Sequence, residues 1–167
     1  SYAASADPNQ VVWTLVDTWQ TATVTLTAET DHIDLMYNVA DGQHGEVSSW
    51  FLLDNFKATE SGETEEPEEP TQPEESGNDF LKGVDFETDG NEQCFTGSVT
   101  VERVTYADAG VSAPENGGSY ALKLSHANHC WPSFRVNFGK TLKAGTTITF
   151  NVYGNYDSQK SGKYVKL

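Results

Sequence analysis

Apolar and polar residues alternate with a period of two along much of this chain. The pattern is clearest in the segments 33–39, 120–125, 134–138 and 148–152. Because successive side chains of a strand point to opposite faces, each segment predicts a strand with one buried and one solvated face. No stretch shows helical periodicity, and clusters of turn-forming residues such as 115–118 separate the alternating segments.

These features predict an all-β protein. Roughly ten short strands with polar turns between them favour an antiparallel β-sandwich over a parallel α/β sheet. The 167 residues are enough for about one domain. A hydrophobic content of 37% is sufficient to fill a core, so wholesale disorder is not expected.

An acidic stretch that contains proline, residues 59–77, divides the chain. Eight of the 25 acidic residues lie between positions 60 and 75, where there is no lysine or arginine. Like-charge repulsion and proline both favour an extended, solvated chain, so this stretch is predicted to be a linker between 1–58 and 78–167.

No cluster of lysine and arginine forms a basic patch in the sequence, which disfavours nucleic-acid binding. No apolar run is long enough to cross a bilayer, so membrane insertion is not expected.

Two motifs stand in an unexpected order. Phe86-Glu87 with Gly90 resembles the first strand of the Ca²⁺-binding carbohydrate-binding jelly rolls found on secreted bacterial glycan-degrading enzymes. Leu53-Asp54-Asn55-Phe56 resembles the last strand of the same family, and 144–150 resembles a common inner strand. The closing motif therefore precedes the opening one.

The resemblance implies a jelly roll that has been cut mid-domain from a tandem repeat. Residues 1–58 would form the C-terminal half of one module and 78–167 the N-terminal half of the next. The two ends of such a domain lie close together, so two arrangements are open. Either the halves pair in permuted order within one chain, or each half completes a neighbouring copy.

In this family a structural calcium ion often ties the first strand to the last. The resemblance therefore implies Glu87 and Asp54 as calcium ligands, with Asp89 beside them. A hard cation that binds roughly six to eight oxygens could hold two strands together in this way. The alternative is that Asp54 caps a β-bulge and Glu87 is solvated.

Glycan binding in such modules uses aromatic rings against sugar rings and planar polar groups against hydroxyls. Trp50 is predicted to point outward if its neighbour Phe51 points inward. Tyr153 is predicted to point outward too, because Ile148, Phe150 and Val152 occupy the other face of its strand. The full set of predicted ligand-binding residues is Trp50, Trp131, Tyr153, Arg135 and Asn137. The alternative is that these aromatic residues only pack, as most do in sandwiches.

The two cysteines, Cys94 and Cys130, both follow the linker. A disulfide between them would suit a secreted β-module. The alternative is two buried free thiols, which behave as small apolar side chains.

No catalytic motif is present: there is no nucleophile elbow, no zinc-protease motif, no phosphate-binding loop and no evident pair of flanking carboxylates. We therefore predict a non-enzymatic, extracellular or cell-surface bacterial module that binds a glycan. The alternative function is a structural repeat of a surface fibre or adhesin, whose partners are neighbouring copies of the same unit.

Overall fold

The computed structural model describes residues 10–13, 17–36, 49–62, 78–126, 133–155 and 163–166. These ranges contain ten strands, a four-residue helix and one turn of 3-10 helix at Asn91–Cys94. The helix is α1 (Tyr106–Ala109). The strands are β1 (Gln10–Trp13), β2 (Trp19–Thr25), β3 (Thr30–Met36), β4 (Ser49–Thr59), β5 (Phe95–Gly97), β6 (Thr100–Thr105), β7 (Tyr120–His126), β8 (Ser133–Leu142), β9 (Thr147–Asn155) and β10 (Lys163–Lys166).

The strands form a five-stranded sheet in the order β2-β9-β4-β7-β6 and a three-stranded sheet in the order β3-β8-β5. Strands β1 and β10 form a separate pair. Every strand pair described is antiparallel. The predicted all-β antiparallel sandwich is thus confirmed.

The core lies between the two larger sheets and follows the alternation of the strands. Phe51 of β4 contacts Phe134 of β8 across the sandwich, with ring centroids 5.7 Å apart. Phe56 stacks on Phe150 with a centroid distance of 4.6 Å and nearly parallel rings. The apolar face of each central strand is therefore buried against the opposite sheet, as period-two patterning requires.

Segments from both sides of the acidic stretch build the same sandwich. Strand β4 precedes that stretch, but it lies between β9 and β7, which both follow it. A further bridge joins Phe56 to Val84. Strands from both sides of the acidic stretch thus pack into one sandwich. A permuted origin and an exchange of halves between copies both stay predictions.

Candidate functional site

A second apolar cluster lies on the outer face of the five-stranded sheet. Its fully or nearly fully buried members are Leu52, Tyr106 and Ala121, and Trp19 and Trp50 are among the half-buried residues packed around them. Helix α1 and the segment that follows it, residues 110–119, cover this cluster; we call that segment the 110–119 loop. The outer face of the sheet is therefore partly a packed layer rather than a solvated surface.

Three aromatic rings follow one another across β2, β9 and β4. Trp19 is the cross-strand partner of Tyr153, and their ring centroids are 5.4 Å apart. Trp50 stacks on the other side of Tyr153, at 6.1 Å and an interplanar angle of 14°. The predicted ligand residues Trp50 and Tyr153 are thus neighbours, but their rings pack against each other, and the Nζ atom of Lys123 lies 5.4 Å from the Trp50 ring.

An open, polar groove lies beside Trp19, between the sheet and the 110–119 loop. Its volume is about 460 Å³. The sheet and the loop form its two walls, and its lining is dominated by amide and hydroxyl side chains. The lining residues are Trp19, Gln20, Thr21, Asn55, Pro114, Glu115, Asn116, Thr149 and Asn151.

Two asparagines of this groove adopt the left-handed backbone region. Asn55 has φ 52° and Asn116 has φ 60°. Asn55 belongs to a β-bulge, since the pairing of β4 with β9 shifts register between Asp54 and Lys57. Bulges are frequent beside binding sites because they redirect a side chain out of the regular ladder. Asparagine tolerates the left-handed region better than most residues, so it suits both positions.

Several polar side chains of the groove are available to a ligand. Among the described residues, the side-chain amides of Gln20, Asn55 and Asn116 have no hydrogen-bond partner. The Asn151 amide oxygen instead accepts a hydrogen bond from the Thr21 hydroxyl at 3.1 Å, which orients that amide. The groove therefore presents unpaired donors and acceptors from both of its walls.

A buried carboxylate lies under the 110–119 loop. Asp54 is fully buried; it accepts hydrogen bonds from the Tyr106 hydroxyl and from the backbone N–H of Asn55. Burial raises the pKa of Asp54 to about 7, against the opposing effect of these two donors. The negative charges of Asp85 and Glu87 add to that rise in the pKa. Burial and the Asp54 carboxylate also raise the pKa of Tyr106.

Glu87 binds the backbone at the far end of the 110–119 loop. Its Oε1 atom accepts hydrogen bonds from the N–H groups of Ser119, at 2.7 Å, and Tyr120, at 2.8 Å. The Arg103 guanidinium donates to the carbonyl oxygens of Phe86 and Glu87 and lies 3.5 Å from the centre of the Tyr120 ring. Side chains of the protein thus connect the segment at Phe86 and Glu87 to the start of β7.

Protein donors engage the predicted calcium ligands Asp54 and Glu87. Both oxygens of Asp54 and one oxygen of Glu87 already accept hydrogen bonds from protein donors, and the neighbouring carbonyls accept from Arg103. Asp89 is exposed. Within the described ranges, no group of three or more metal-ligating side chains is found. These contacts are satisfied by protein donors in place of an ion, and the calcium site at Glu87, Asp54 and Asp89 stays a prediction.

Arg135 and Asn137 lie on the opposite side of the sandwich from Trp50 and Tyr153. They occupy the outer face of the three-stranded sheet, because the alternate residues Phe134 and Val136 of β8 are buried in the core. The Asn137 amide donates to the Cys94 carbonyl oxygen at 3.1 Å. Trp131 lies outside the described residues. The ligand set predicted from the sequence is therefore divided between two faces.

Arg135 forms a two-pronged ion pair with Asp34 of β3, with N···O distances of 2.7 and 2.9 Å. The Arg135 hydrogen bond lowers the pKa of Asp34. Both side chains are about half exposed, so we expect Arg135→Ala and Asp34→Ala to change the urea denaturation midpoint only slightly. A large fall in the midpoint for either variant would show that this pair is a major stabilising element.

The predicted disulfide is not seen at Cys94. The Cys94 thiol is free and buried in the main core, and burial raises its pKa. Cys130 lies outside the described residues, so the pairing stays a prediction. The mass of the intact protein with and without reductant tests it.

No family of known proteins matches the chain, and neither curated proteins nor solved structures give a match. The helices in the described ranges are too short or too polar to span a membrane. The candidate site therefore rests on its own geometry. Sequence analysis did not predict Gln20, Asn55 or Asn116 as ligand-binding residues. Asn116 lies in the predicted turn 115–118, and Asn55 lies in the Leu53-Asp54-Asn55-Phe56 motif, where a bulge at Asp54 was one of the two alternatives.

Proposed function

We propose that this protein is a non-catalytic carbohydrate-binding β-sandwich, and that it binds an uncharged glycan in the groove between the sheet and the 110–119 loop. One observation carries the proposal. Unpaired amides from both walls and the Trp19 side chain converge on one open, polar groove. The extracellular or cell-surface location follows from the family resemblance of the sequence motifs and is part of the proposal.

The chemistry of the groove suits sugar hydroxyls. A carboxamide offers two donors and an acceptor in one plane, so a single Asn55 or Asn116 side chain can hydrogen-bond two adjacent hydroxyls of a sugar. Trp19 offers an apolar ring surface with its N–H group already bonded to the Ser112 carbonyl oxygen at 2.7 Å. The indole is thereby held in place before a ligand arrives, which reduces the ordering cost of binding.

The charge of the groove favours a neutral ligand. Among the described residues that line it are the carboxylate of Glu115 and no lysine or arginine. The formal net charge of the whole chain is −15. An anionic sugar such as a uronate would therefore be repelled on approach, and the described lining offers it no cationic side chain.

The groove also supports a binding role rather than hydrolysis. Of the lining residues that the structure describes, Glu115 alone carries a carboxylate. Glycoside hydrolysis generally needs two carboxyl groups that flank the scissile bond.

Calorimetric titration with matched neutral and uronate-containing oligosaccharides tests the function. We expect binding by neutral oligosaccharides only, and we expect Asn116→Ala to weaken it by roughly 3- to 10-fold through the loss of hydrogen bonds to the sugar. Arg135→Ala, on the other face, is the matched control and should leave the affinity unchanged. Preference for uronates, or loss of binding in Arg135→Ala alone, would contradict the assignment.

A further inference from the structure

We propose that Glu87 and the Asp54–Tyr106 pair act as a metal-free clasp that positions the 110–119 loop as one wall of the groove. The ligand-binding consequence rests on the proposed function. The clasp itself rests on contacts that do not involve a ligand.

The first point of attachment is Glu87, at the end of the loop. One carboxylate oxygen accepts two successive backbone N–H groups, those of Ser119 and Tyr120, where β7 begins. Gly118 permits this close approach, because a Cβ atom at that position would lie 2.4 Å from the Glu87 carboxylate carbon. An acceptor that binds two consecutive amides fixes both the position and the direction of the chain.

The second point of attachment is Tyr106, at the start of the loop. Its hydroxyl donates to the buried Asp54 carboxylate of β4, and its carbonyl oxygen accepts from the Val111 N–H at 3.1 Å. Gly117 packs tightly here: an added Cβ would lie 2.5 Å from the Pro114 ring and 2.9 Å from the Tyr106 hydroxyl. The loop is thus fastened to the central strand of the sheet.

Arg103 supplies the positive charge at this corner. Its guanidinium bonds the carbonyl oxygens of Phe86 and Glu87 and stacks on the Tyr120 ring. The carbonyls that a cation would need are therefore engaged by a side chain of the protein. This makes the clasp complete without an ion, in contrast to the calcium site that the resemblance implies.

The two attachments hold one wall of the groove in place. Pro114, Glu115 and Asn116 are between the two attachments, and they form the wall opposite Asn55. Release of either attachment would let Asn116 move relative to Asn55 while leaving the ligand-contacting side chains intact. Glu87, Asp54 and Tyr106 are accordingly positioning residues.

The experiment compares Glu87→Ala with Glu87→Gln in the full chain. Glutamine keeps a carbonyl oxygen that can accept from Ser119 and Tyr120, whereas alanine keeps none. We expect Glu87→Ala to speed amide hydrogen exchange in 110–119 at least about 10-fold and to weaken neutral-glycan binding at least about 10-fold, and Glu87→Gln to stay within about threefold of the unmodified protein for both. Glu102→Ala, at an exposed acid on β6, is the control for lost charge and should change neither.

Metal dependence is tested in parallel by melting the unmodified protein with calcium and with chelator. Equal melting temperatures support the clasp. A lower melting temperature in chelator, with Glu87→Gln as impaired as Glu87→Ala, would overturn it in favour of an ion site. Unchanged hydrogen exchange in Glu87→Ala would also overturn it.

Two further measurements decide the clasp if Glu87→Ala does not fold or if no glycan binds. If Glu87→Ala does not fold, Tyr106→Phe removes only the hydroxyl and should likewise accelerate exchange in 110–119; no acceleration would refute the clasp. If no glycan binds the unmodified protein, the proposed function fails, while hydrogen exchange and chelator response still decide the clasp.

Discussion

Replacing Phe56 with alanine is expected to destabilise the protein by about 3 to 5 kcal/mol. The Phe56 ring is buried and stacks on Phe150 at 4.6 Å. Its edges meet three further phenylalanines, Phe80, Phe86 and Phe95, at centroid distances of 5.9, 6.3 and 5.4 Å. Truncation removes all four ring contacts and leaves a cavity in the centre of the core.

The Phe56 substitution also tests the architecture. Phe56 precedes the acidic stretch and all four partner rings follow it, so the full loss arises only if both parts share one core. Urea denaturation measures the change, and Lys57→Ala, at an exposed neighbour, should stay within about 0.5 kcal/mol of the unmodified protein. A loss below roughly 1 kcal/mol for Phe56→Ala would mean that the two parts do not pack together.

The second large effect is a fall in stability between about pH 4 and pH 7 that depends on Asp54. Burial raises the pKa of Asp54 from 3.8 to about 7 in the folded protein, so the folded state holds this proton more tightly than the unfolded state. The contribution of Asp54 to the free energy of unfolding is therefore fully present below about pH 4. It is lost as the pH rises through about 7. Its size is on the order of 2 to 4 kcal/mol.

Asp54→Asn isolates this contribution. The amide is close in shape to a protonated carboxyl group and cannot ionise, so the variant should lose the fall in stability seen between about pH 4 and pH 7. Arg135 lowers the pKa of Asp34, so Asp34 favours stability at higher pH and its contribution is lost at low pH. Because Asp34 is present in both proteins, its effect cancels when the stability of the variant is subtracted from that of the unmodified protein. Parallel stability profiles for the two proteins across this range would contradict a raised pKa for Asp54.

Alternation of residues was sufficient to predict the sandwich and several of its strands. The segments 120–125, 134–138 and 148–152 correspond to β7, β8 and β9. The same alternation places Trp50 and Leu52 of β4 on the outer face. It does not show that Leu52 is fully buried there, because the covering helix and loop come from a distant part of the chain.

The groove was less predictable than the strands, because it too depends on packing between distant parts of the chain. Arg135 and Trp50 both point outward from their strands, as their phase predicts, but periodicity does not say which sheet a strand joins. The two residues consequently lie on opposite faces of the sandwich. The groove depends on the bulge next to Asp54, which the sequence offered only as an alternative to a calcium ligand, and on a loop packed over the sheet, which no local sequence pattern predicts.

The most direct measurement is an NMR titration that follows the side-chain amide signals of asparagine and glutamine, and the Trp19 indole N–H, as a neutral oligosaccharide is added. We predict that the signals of Gln20, Asn55 and Asn116 shift and saturate together, and that the Asn137 signal stays unchanged. Shifts at Asn137 without shifts at Asn55 and Asn116 would contradict a glycan site in the groove, as would no shift with any neutral oligosaccharide.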